Sequence, residues 1–204
     1  MSVEERFKTV LYSDYLTLAN ADPFIREKFT TMLDGFSNNG KNRDVEDFLK
    51  HKAEQYDKLH FSKTYLVLNN DLDSISGYFS LASRSLIVKK KDWVKISKGT
   101  RKKLNPFGYR EEVDQNIPAM LLGQFGRNFN PIEPITGDEL LSIALAKADD
   151  ISRQVGGRYL YLEADDHEKL AEFYVRNGFS YLSYTDATFH KTVNNQVLFI
   201  KKFS

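Results

Sequence analysis

The sequence predicts a mixed α/β fold in which helices cover a mixed β-sheet. Two segments with the 3.6-residue period of an amphipathic helix are followed by two short β-rich runs. An apolar run at residues 117–125 then opens a second half in which predicted strands and helices alternate. An antiparallel first half joined to an alternating second half favours this class over a helix bundle or a β-sandwich.

The first half begins with two predicted helices and a hairpin. Pro23 follows Asp22, a good helix-capping residue, and apolar side chains recur at helical spacing up to Gly35. The same period at residues 44–58 predicts a second helix. Two β-rich runs flank a turn-forming Asn-Asn-Asp sequence, so we expect them to pair antiparallel. These runs are residues 64–68 and 76–81.

The second half is predicted to contain the centre of the sheet. Residues 117–125 are apolar nearly throughout and too few for a typical helix, which predicts a buried central strand. A long helical pattern begins at Gly137 and ends at Gly156 and Gly157. Further along we expect a strand at 159–163, a helix at 166–177, and strands at 179–184 and 197–200. Residues 88–104 are basic and irregular.

The composition indicates one globular domain over residues 1–204. A formal net charge of +1 gives the whole molecule no field that would attract nucleic acid or an anionic membrane. The absence of cysteine excludes disulfides, thiolate metal sites and a cysteine nucleophile. No apolar run approaches the roughly 20 residues of a membrane span, and the four histidines lack metal-site spacing. We therefore expect a cytoplasmic protein with no membrane association and no metal.

The start of the long helix after the central strand is a candidate phosphate site. Thr136, Gly137 and Asp138 lie where a loop enters this helix, and the N-terminus of a helix presents unbonded N–H groups and a positive dipole. Gly137 would let the backbone approach a ligand closely, and Thr136 could either cap the helix or bind a phosphate oxygen. By itself this signal is weak, because a glycine that begins a helix is common.

The run from Ile117 to Phe179 resembles the GCN5-related N-acetyltransferase (GNAT) superfamily. The resemblance implies a mostly antiparallel central sheet with helices on both faces, an acetyl donor bound as acetyl-CoA, and an amine acceptor. The segment Leu-Leu-Gly-Gln-Phe-Gly-Arg-Asn looks like the central strand of the family, whose backbone contacts the acetyl and pantetheine groups. On that ground we assign four residues to the coenzyme site: Gln124, Phe125, Gly126 and Arg127.

The pyrophosphate loop of that family is only half preserved. Its pattern is Gln or Arg, two residues, Gly, one residue, then Gly or Ala. With Gly137 as the second glycine, Ile135 stands at the first glycine and Ile132 at the Gln or Arg. The resemblance therefore implies binding by the backbone amides from Ile135 to Asp138, without help from that side chain.

The segment Phe-Tyr-Val-Arg-Asn-Gly-Phe, residues 173–179, is similar to the most specific signature of the family. In many members its tyrosine protonates the leaving thiolate, so Tyr174 is the catalytic candidate. The alternative is that Tyr174 only packs in the core. Glu163, at the end of a predicted strand, is a candidate base for the amine, with a surface or helix-capping role as its alternative.

The N-terminal half resembles the acetyltransferases of toxin–antitoxin modules in its second helix and its hairpin. That branch commonly acetylates the amino group of aminoacyl-tRNA, which implies tRNA, an antitoxin-like protein and a homodimer as partners to test. Eight basic residues between Lys89 and Lys103, with Trp93 among them as a stacking surface, form a candidate tRNA footprint. The alternative is a solvated lysine-rich surface with Trp93 in the core.

Two other functions stay open at this stage. The altered pyrophosphate loop is compatible with an inactive or partner-regulated CoA-binding module on the same fold. An active enzyme could also acetylate a small amine or a protein instead of aminoacyl-tRNA. The sequence does not choose the acceptor, because acceptor pockets are built from variable loops.

Overall fold

The computed structural model describes residues 3–106, 113–130, 134–186, 188–192 and 194–203. Seven strands form one sheet and two short strands form another. The strands are β1 (Phe7–Leu11), β2 (Lys63–Asn69), β3 (Ile75–Ser83), β4 (Leu86–Val88), β5 (Gln115–Ile117), β6 (Ala119–Arg127), β7 (Tyr159–Ala164), β8 (Ser180–Tyr181) and β9 (Val197–Lys202).

The large sheet has the strand order β1-β2-β3-β6-β7-β9-β8, and β4 pairs with β5. The pairs β1–β2, β2–β3, β7–β9 and β8–β9 are antiparallel, whereas β6–β7 is parallel. This arrangement confirms the predicted mixed, mostly antiparallel sheet with β6 at its centre.

The helices are spread along the whole chain. They are α1 (Val3–Arg6), α2 (Tyr12–Ala21), α3 (Pro23–Asp34), α4 (Arg43–Asp47), α5 (Ala53–Lys58), α6 (Lys90–Trp93), α7 (Lys98–Leu104), α8 (Gly137–Val155) and α9 (Glu168–Arg176), and a π-helical turn at Phe48–Lys52 joins α4 to α5. In the part of the chain that the structure describes, no helix is long and apolar enough to cross a membrane.

The chain divides into two compact units. The first comprises Met1–Ala82 and Leu122–Lys147, and the second comprises Ser83–Leu121 and Ala148–Ser204. The boundaries fall inside β3, β6 and α8, so these three elements contribute residues to each unit. The assignment of a single domain stays a prediction.

The first unit buries one face of its helices against the hairpin. Its core includes Phe36, Leu49, Leu66 and Tyr78, all fully buried. The predicted helix at Pro23 is confirmed, and the side chain of Asp22 caps it by accepting the N–H of Phe24 at 2.8 Å. The second predicted helix and the predicted hairpin are confirmed as well, with the π-helical turn as the only departure inside that helix.

The second unit has its own apolar core, which includes Trp93, Ile96, Ile117 and Leu182. The predicted long helix, the strand at 159–163 and the last strand are confirmed. The strand expected at 179–184 is regular only over Ser180–Tyr181. The basic stretch that showed no pattern in the sequence contains two short helices, α6 and α7.

Candidate active site

The corner where the chain enters α8 is closed by a reciprocal pair of hydrogen bonds. The hydroxyl of Thr136 accepts the N–H of Glu139 at 3.1 Å, while Glu139 Oε2 accepts both the backbone N–H and the hydroxyl of Thr136 at 2.8 Å. This is a capping box, which satisfies two N–H groups that a helix start leaves without partners. Thr136 therefore caps the helix in this structure, and its contact with phosphate stays a prediction.

Glu139 is held in this position from a second side. Arg6 Nη1 donates to Glu139 Oε1 at 2.6 Å. Burial acts to raise the pKa of Glu139, but the hydrogen bonds from Thr136 and the charge of Arg6 outweigh it and lower the pKa below its ordinary value. A carboxylate thus occupies the helix N-terminus, and an incoming phosphate would meet a negative charge there.

The predicted coenzyme residues, Gln124 to Arg127, form the C-terminal end of β6, the strand before this corner. The pairing of β6 with β7 runs from Ala119 to Leu121, although β6 continues to Arg127. The N–H of Gln124 donates to the buried Ser80 hydroxyl at 2.9 Å. Gln124 and Phe125 are half-buried. These residues therefore lie beyond the part of β6 that pairs with β7.

Gly126 has a structural reason to be glycine. A Cβ at this position would lie 2.2 Å from Val45 Cγ1 and 3.1 Å from Tyr78 Cε1. Tyr78 is itself fixed, because its hydroxyl donates to the carbonyl of Val45 at 2.5 Å. The packing of the first unit therefore explains Gly126, and its contact with an acetyl group stays a prediction.

Arg127 connects the end of β6 to the corner before α8. Its Nη1 donates to the carbonyl of Ile135 at 3.4 Å, and its guanidinium carbon lies 4.1 Å from the centre of the Phe129 ring. Ile135 is fully buried, whereas Gly137 is half-buried and Asp138 is exposed. The first unit thus brings the end of the predicted thioester strand together with the predicted phosphate corner. Ile132 lies outside the described residues.

Tyr174 lies in the second unit, on α9, inside an aromatic cluster. Its ring centre lies 5.0 Å from that of Phe173, 5.7 Å from that of Phe179 and 5.1 Å from that of Phe199. The residue is only 7% exposed, and burial raises the pKa of Tyr174 to about 12. The phenol is therefore protonated at neutral pH and able to donate. The packing role considered from the sequence is present; the catalytic role stays a prediction.

The rest of the signature around Tyr174 ends the helix. Gly178 has a φ of +83°, the left-handed conformation that glycine adopts most easily at the C-terminus of a helix. The N–H of Phe179 then donates to the carbonyl of Tyr174 at 3.0 Å. The same turn is held by Lys201, which donates to the carbonyl of Asn177 at 3.0 Å.

Glu163 lies in β7 and has an exposed side chain, which supports its surface alternative and rules out helix capping. Desolvation nevertheless raises the pKa of Glu163, against the opposing charge of Arg84 and a hydrogen bond from Thr192. A carboxylate with a raised pKa is a better base than an ordinary surface glutamate. Its role as the base stays a prediction.

The basic segment is not the stacking surface that the sequence suggested. Trp93 is fully buried in the core of the second unit, so it offers no face to a base. Arg101 is buried too, and Lys89 is ion-paired with Asp114 at 2.9 Å. The exposed lysines of α6 and α7 are Lys90, Lys91, Lys98, Lys102 and Lys103. The burial of Trp93 that the alternative reading expected is confirmed, and tRNA binding by the exposed lysines stays a prediction.

A polar cluster that the sequence did not indicate fixes this segment. Tyr184 Oη lies 2.7 Å from His190 Nδ1, and Asp92 is ion-paired with Lys95 at 3.1 Å. Burial lowers the pKa of His190, with the charge of Asp92 acting against it. The N–H of Thr185 also donates to the carbonyl of Lys95 at 2.9 Å. Residues this far apart in the sequence carry no spacing signal.

The comparisons with known proteins identify the fold. No protein-family model matches the sequence, and no curated protein does. Among solved structures, a tyrosine-to-phenylalanine mutant of KacT superposes with a TM-score of 0.63 at 19% identity, over 96% of this chain and 95% of that chain. The chain has the fold of this protein. The fold predicted from the resemblance is thereby confirmed.

Two structures of the toxin AtaT share the same fold. A tyrosine-to-phenylalanine mutant of AtaT, bound to the C-terminus of the antitoxin AtaR and acetyl-CoA, has a TM-score of 0.60 at 17% identity, covering 96% of this chain and 93% of that chain. AtaT complexed with acetyl-methionyl-tRNAfMet has a TM-score of 0.58 at 20% identity, covering 81% and 85%. At these identities the likeness concerns the fold.

Proposed function

We propose that the protein is an acetyl-CoA-dependent N-acetyltransferase of the toxin type. The observation that carries this proposal is the fold match with an AtaT toxin bound to acetyl-CoA over 96% of this chain. The end of β6 and the corner before α8, which the first unit brings together through Arg127 and Ile135, support it. A fold hosts more than one chemistry, so the activity needs a direct test.

In the proposed reaction the amine attacks the thioester carbonyl of acetyl-CoA, without a covalent enzyme intermediate. The C–N bond forms, the C–S bond breaks, and the sulfur leaves as a thiolate that accepts a proton from Tyr174. The amine loses one proton, with Glu163 as the candidate base. Backbone amides from Ile135 to Asp138 bind the pyrophosphate, and residues 124–127 of β6 bind the acetyl and pantetheine groups.

We propose aminoacyl-tRNA as the acceptor. AtaT has been crystallised with acetyl-methionyl-tRNAfMet, and the second unit of this chain carries five exposed lysines on α6 and α7. Phosphate neutralisation by lysine is a sequence-independent and salt-sensitive form of binding. An antitoxin-like partner is proposed on the same footing, because AtaT binds the C-terminus of AtaR.

A coenzyme-binding module without turnover is the second candidate. The Glu139 carboxylate favours this candidate. The carboxylate already accepts the N–H of Thr136, and its charge would repel an incoming phosphate. Weak or unproductive binding of acetyl-CoA would follow if Glu139 kept this position with the coenzyme present.

An acetyl-transfer assay separates these functions. Purified protein is incubated with radiolabelled acetyl-CoA and, in separate reactions, aminoacyl-tRNA, a polyamine or a protein acceptor. We expect label on the aminoacyl amino group, and we expect transfer to fall steeply as salt is raised. Label only on the polyamine or on the protein would reject tRNA as the acceptor. Absence of transfer to all three acceptors, with acetyl-CoA bound, would favour the module.

Replacing Glu139 with glutamine should strengthen the binding of acetyl-CoA about twofold to fivefold, the range expected for one partly exposed charge pair. The glutamine removes the negative charge beside the phosphate and can still complete the capping box. Calorimetric titration measures the affinity. Glu54→Gln, which removes an exposed ion pair with Lys58 in the same unit, is the matched control. Unchanged or weaker binding by Glu139→Gln would contradict the repulsion.

A further inference from the structure

Two cations of the first unit lie on one aromatic ring. Lys41 Nζ lies 4.1 Å from the centre of the Phe129 ring, and the guanidinium carbon of Arg127 lies 4.1 Å from the same centre. The two charges are therefore within about 8 Å of each other, as a direct consequence of those two cation–π distances. Two like charges this close create a local positive potential on a protein whose net charge is only +1.

Hydrogen bonds fix the chain at Asn128 and Phe129, next to the ring that both cations contact. The N–H of Phe129 donates to the carbonyl of Ser37 at 2.8 Å, and Asn128 Oδ1 accepts the N–H of Ser37 at 3.1 Å. Asn128 is buried and its Nδ2 also donates to the carbonyl of Ile75 at 2.8 Å. Because the segment is bonded to two other parts of the unit, the ring position does not depend on the cations.

Lys41 reaches the ring from a tight turn. Asn39 and Gly40 both have positive φ values, of 57° and 69°, and the N–H of Lys41 donates to the carbonyl of Asn38 at 3.3 Å. Within the part of the chain that the structure describes, no carboxylate lies at ion-pair distance from Lys41 or Arg127. The nearby acidic residue Glu46 is instead bonded to Lys50 at 3.1 Å.

The cation pair stands beside the corner that enters α8. Arg127 Nη1 donates to the carbonyl of Ile135, the residue before Thr136, at 3.4 Å. Of the two carboxylates at this corner, Glu139 is bonded to Arg6 and Thr136, and Asp138 is exposed on the first turn of α8. The positive charge of the pair is therefore available to an anion that approaches the corner.

We propose that Lys41 and Arg127 together bind the phosphate groups of the coenzyme. They would supply the side-chain charge that the family pattern places at residue 132, where this chain has isoleucine. A lysine and an arginine are both suited to this role, since charge-assisted hydrogen bonds to phosphate are stronger than neutral ones. The inference rests on the proposed function, because the ligand is the acetyl donor of the proposed reaction.

The test is calorimetric titration of the full-length protein with acetyl-CoA at low and high salt. We expect Lys41→Gln and Arg127→Gln each to weaken binding about tenfold to 100-fold at low salt, as for the loss of one charge-assisted hydrogen bond. Lys41→Arg and Arg127→Lys should restore most of the affinity. Lys58→Gln is the control, since it removes one positive charge at the C-terminal end of the α4–α5 segment. At a helical rise of 1.5 Å per residue, this end lies about 20 Å from the start of the segment at Arg43. Thermal unfolding verifies that each variant is folded.

The outcomes separate this inference from the proposed function. If wild type binds acetyl-CoA and both glutamine variants bind it equally well, the inference is overturned and the proposed function stands. If Lys58→Gln weakens binding as much as they do, the effect belongs to the general field and the inference is overturned too. Variants that lose only tRNA binding would assign the pair to nucleic acid instead. If folded wild type fails to bind acetyl-CoA, the proposed function and this inference both fail.

Discussion

Tyr174→Phe should lower kcat for acetyl transfer about 10²-fold to 10⁴-fold, the usual contribution of one positioned proton donor. The affinity for acetyl-CoA should change by no more than about twofold, because the phenol acts on charge that develops only in the transition state. Phenylalanine keeps the ring that packs against Phe173, Phe179 and Phe199. Steady-state kinetics and a calorimetric titration measure the two quantities.

The raised pKa of Tyr174 decides how it acts. A thiol has a pKa of about 8.5, several units below the pKa of about 12 of the Tyr174 phenol. Complete proton transfer before the C–S bond breaks would therefore be unfavourable. We expect the phenol to stabilise the developing thiolate by a hydrogen bond, and to pass its proton to sulfur only as the proton that the amine loses returns, through Glu163 or water, to the phenolate oxygen.

The control for this variant is Tyr181→Phe, since Tyr181 is half-buried in the same unit and stacks on Phe189 at 4.1 Å. The kcat of Tyr181→Phe should match that of wild type.

The pH dependence of stability provides a second readout for Tyr174→Phe. Because burial raises the folded pKa of Tyr174 above about 10, its contribution to stability is complete below pH 10 and is lost as pH rises towards 12. Tyr174→Phe should lack this alkaline loss. An unchanged kcat in Tyr174→Phe would mean that Tyr174 contributes to packing and not to catalysis.

Gly137→Trp should abolish measurable binding of acetyl-CoA, a loss of at least about 100-fold for a bulky group placed over a preorganised anion site. Gly137 is the first residue of α8, and the indole would cover the N–H groups that are proposed to bind pyrophosphate. Calorimetric titration measures the change.

Gly137→Ala is the matched control for that experiment. Alanine is a better helix residue than glycine by about 1 kcal/mol and is small enough to leave the corner open. It should bind acetyl-CoA nearly as wild type does. If the tryptophan variant is folded and binds normally, the phosphate corner is elsewhere.

Most of the regular elements could be predicted because their signals are local. Asp22, Pro23 and Gly35 mark both ends of α3, and Gly156 and Gly178 mark the ends of α8 and α9. The hairpin is indicated by its β-rich runs and the turn between them. Side-chain periodicity and capping chemistry act over a few residues and can be seen without tertiary structure.

Other elements depend on contacts that the sequence does not show. β1 buries only Phe7 among its five residues, and it is a strand because it pairs with β2, more than 50 residues away. The segment expected as a strand at 179–184 shortens to Ser180–Tyr181, since the chain beyond it forms bridges such as Ser183 with Phe189. Long-range pairing overrides local preference here.

The candidate site also combines features with a local sequence signal and features that depend on long-range contacts. The sequence Thr136-Gly137-Asp138 predicts a phosphate corner, and the capping box could have been recognised from Thr136 and Glu139 at their spacing of three. The sequence left the burial of Trp93 as one of two alternatives and gave no sign that Lys41 meets Arg127, because both features depend on tertiary packing. The tyrosine signature stood out through its resemblance to the family, and its glycine, Gly178, has the positive φ that ends α9.

The most direct test of the account is calorimetric titration of the folded wild-type protein with acetyl-CoA. We predict saturable binding at one site per chain, weakened by salt because phosphates and cations meet in the site. This result would establish the donor site on which the reaction, Tyr174 and the cation pair all depend. Absence of binding to folded protein would contradict the acetyltransferase proposal.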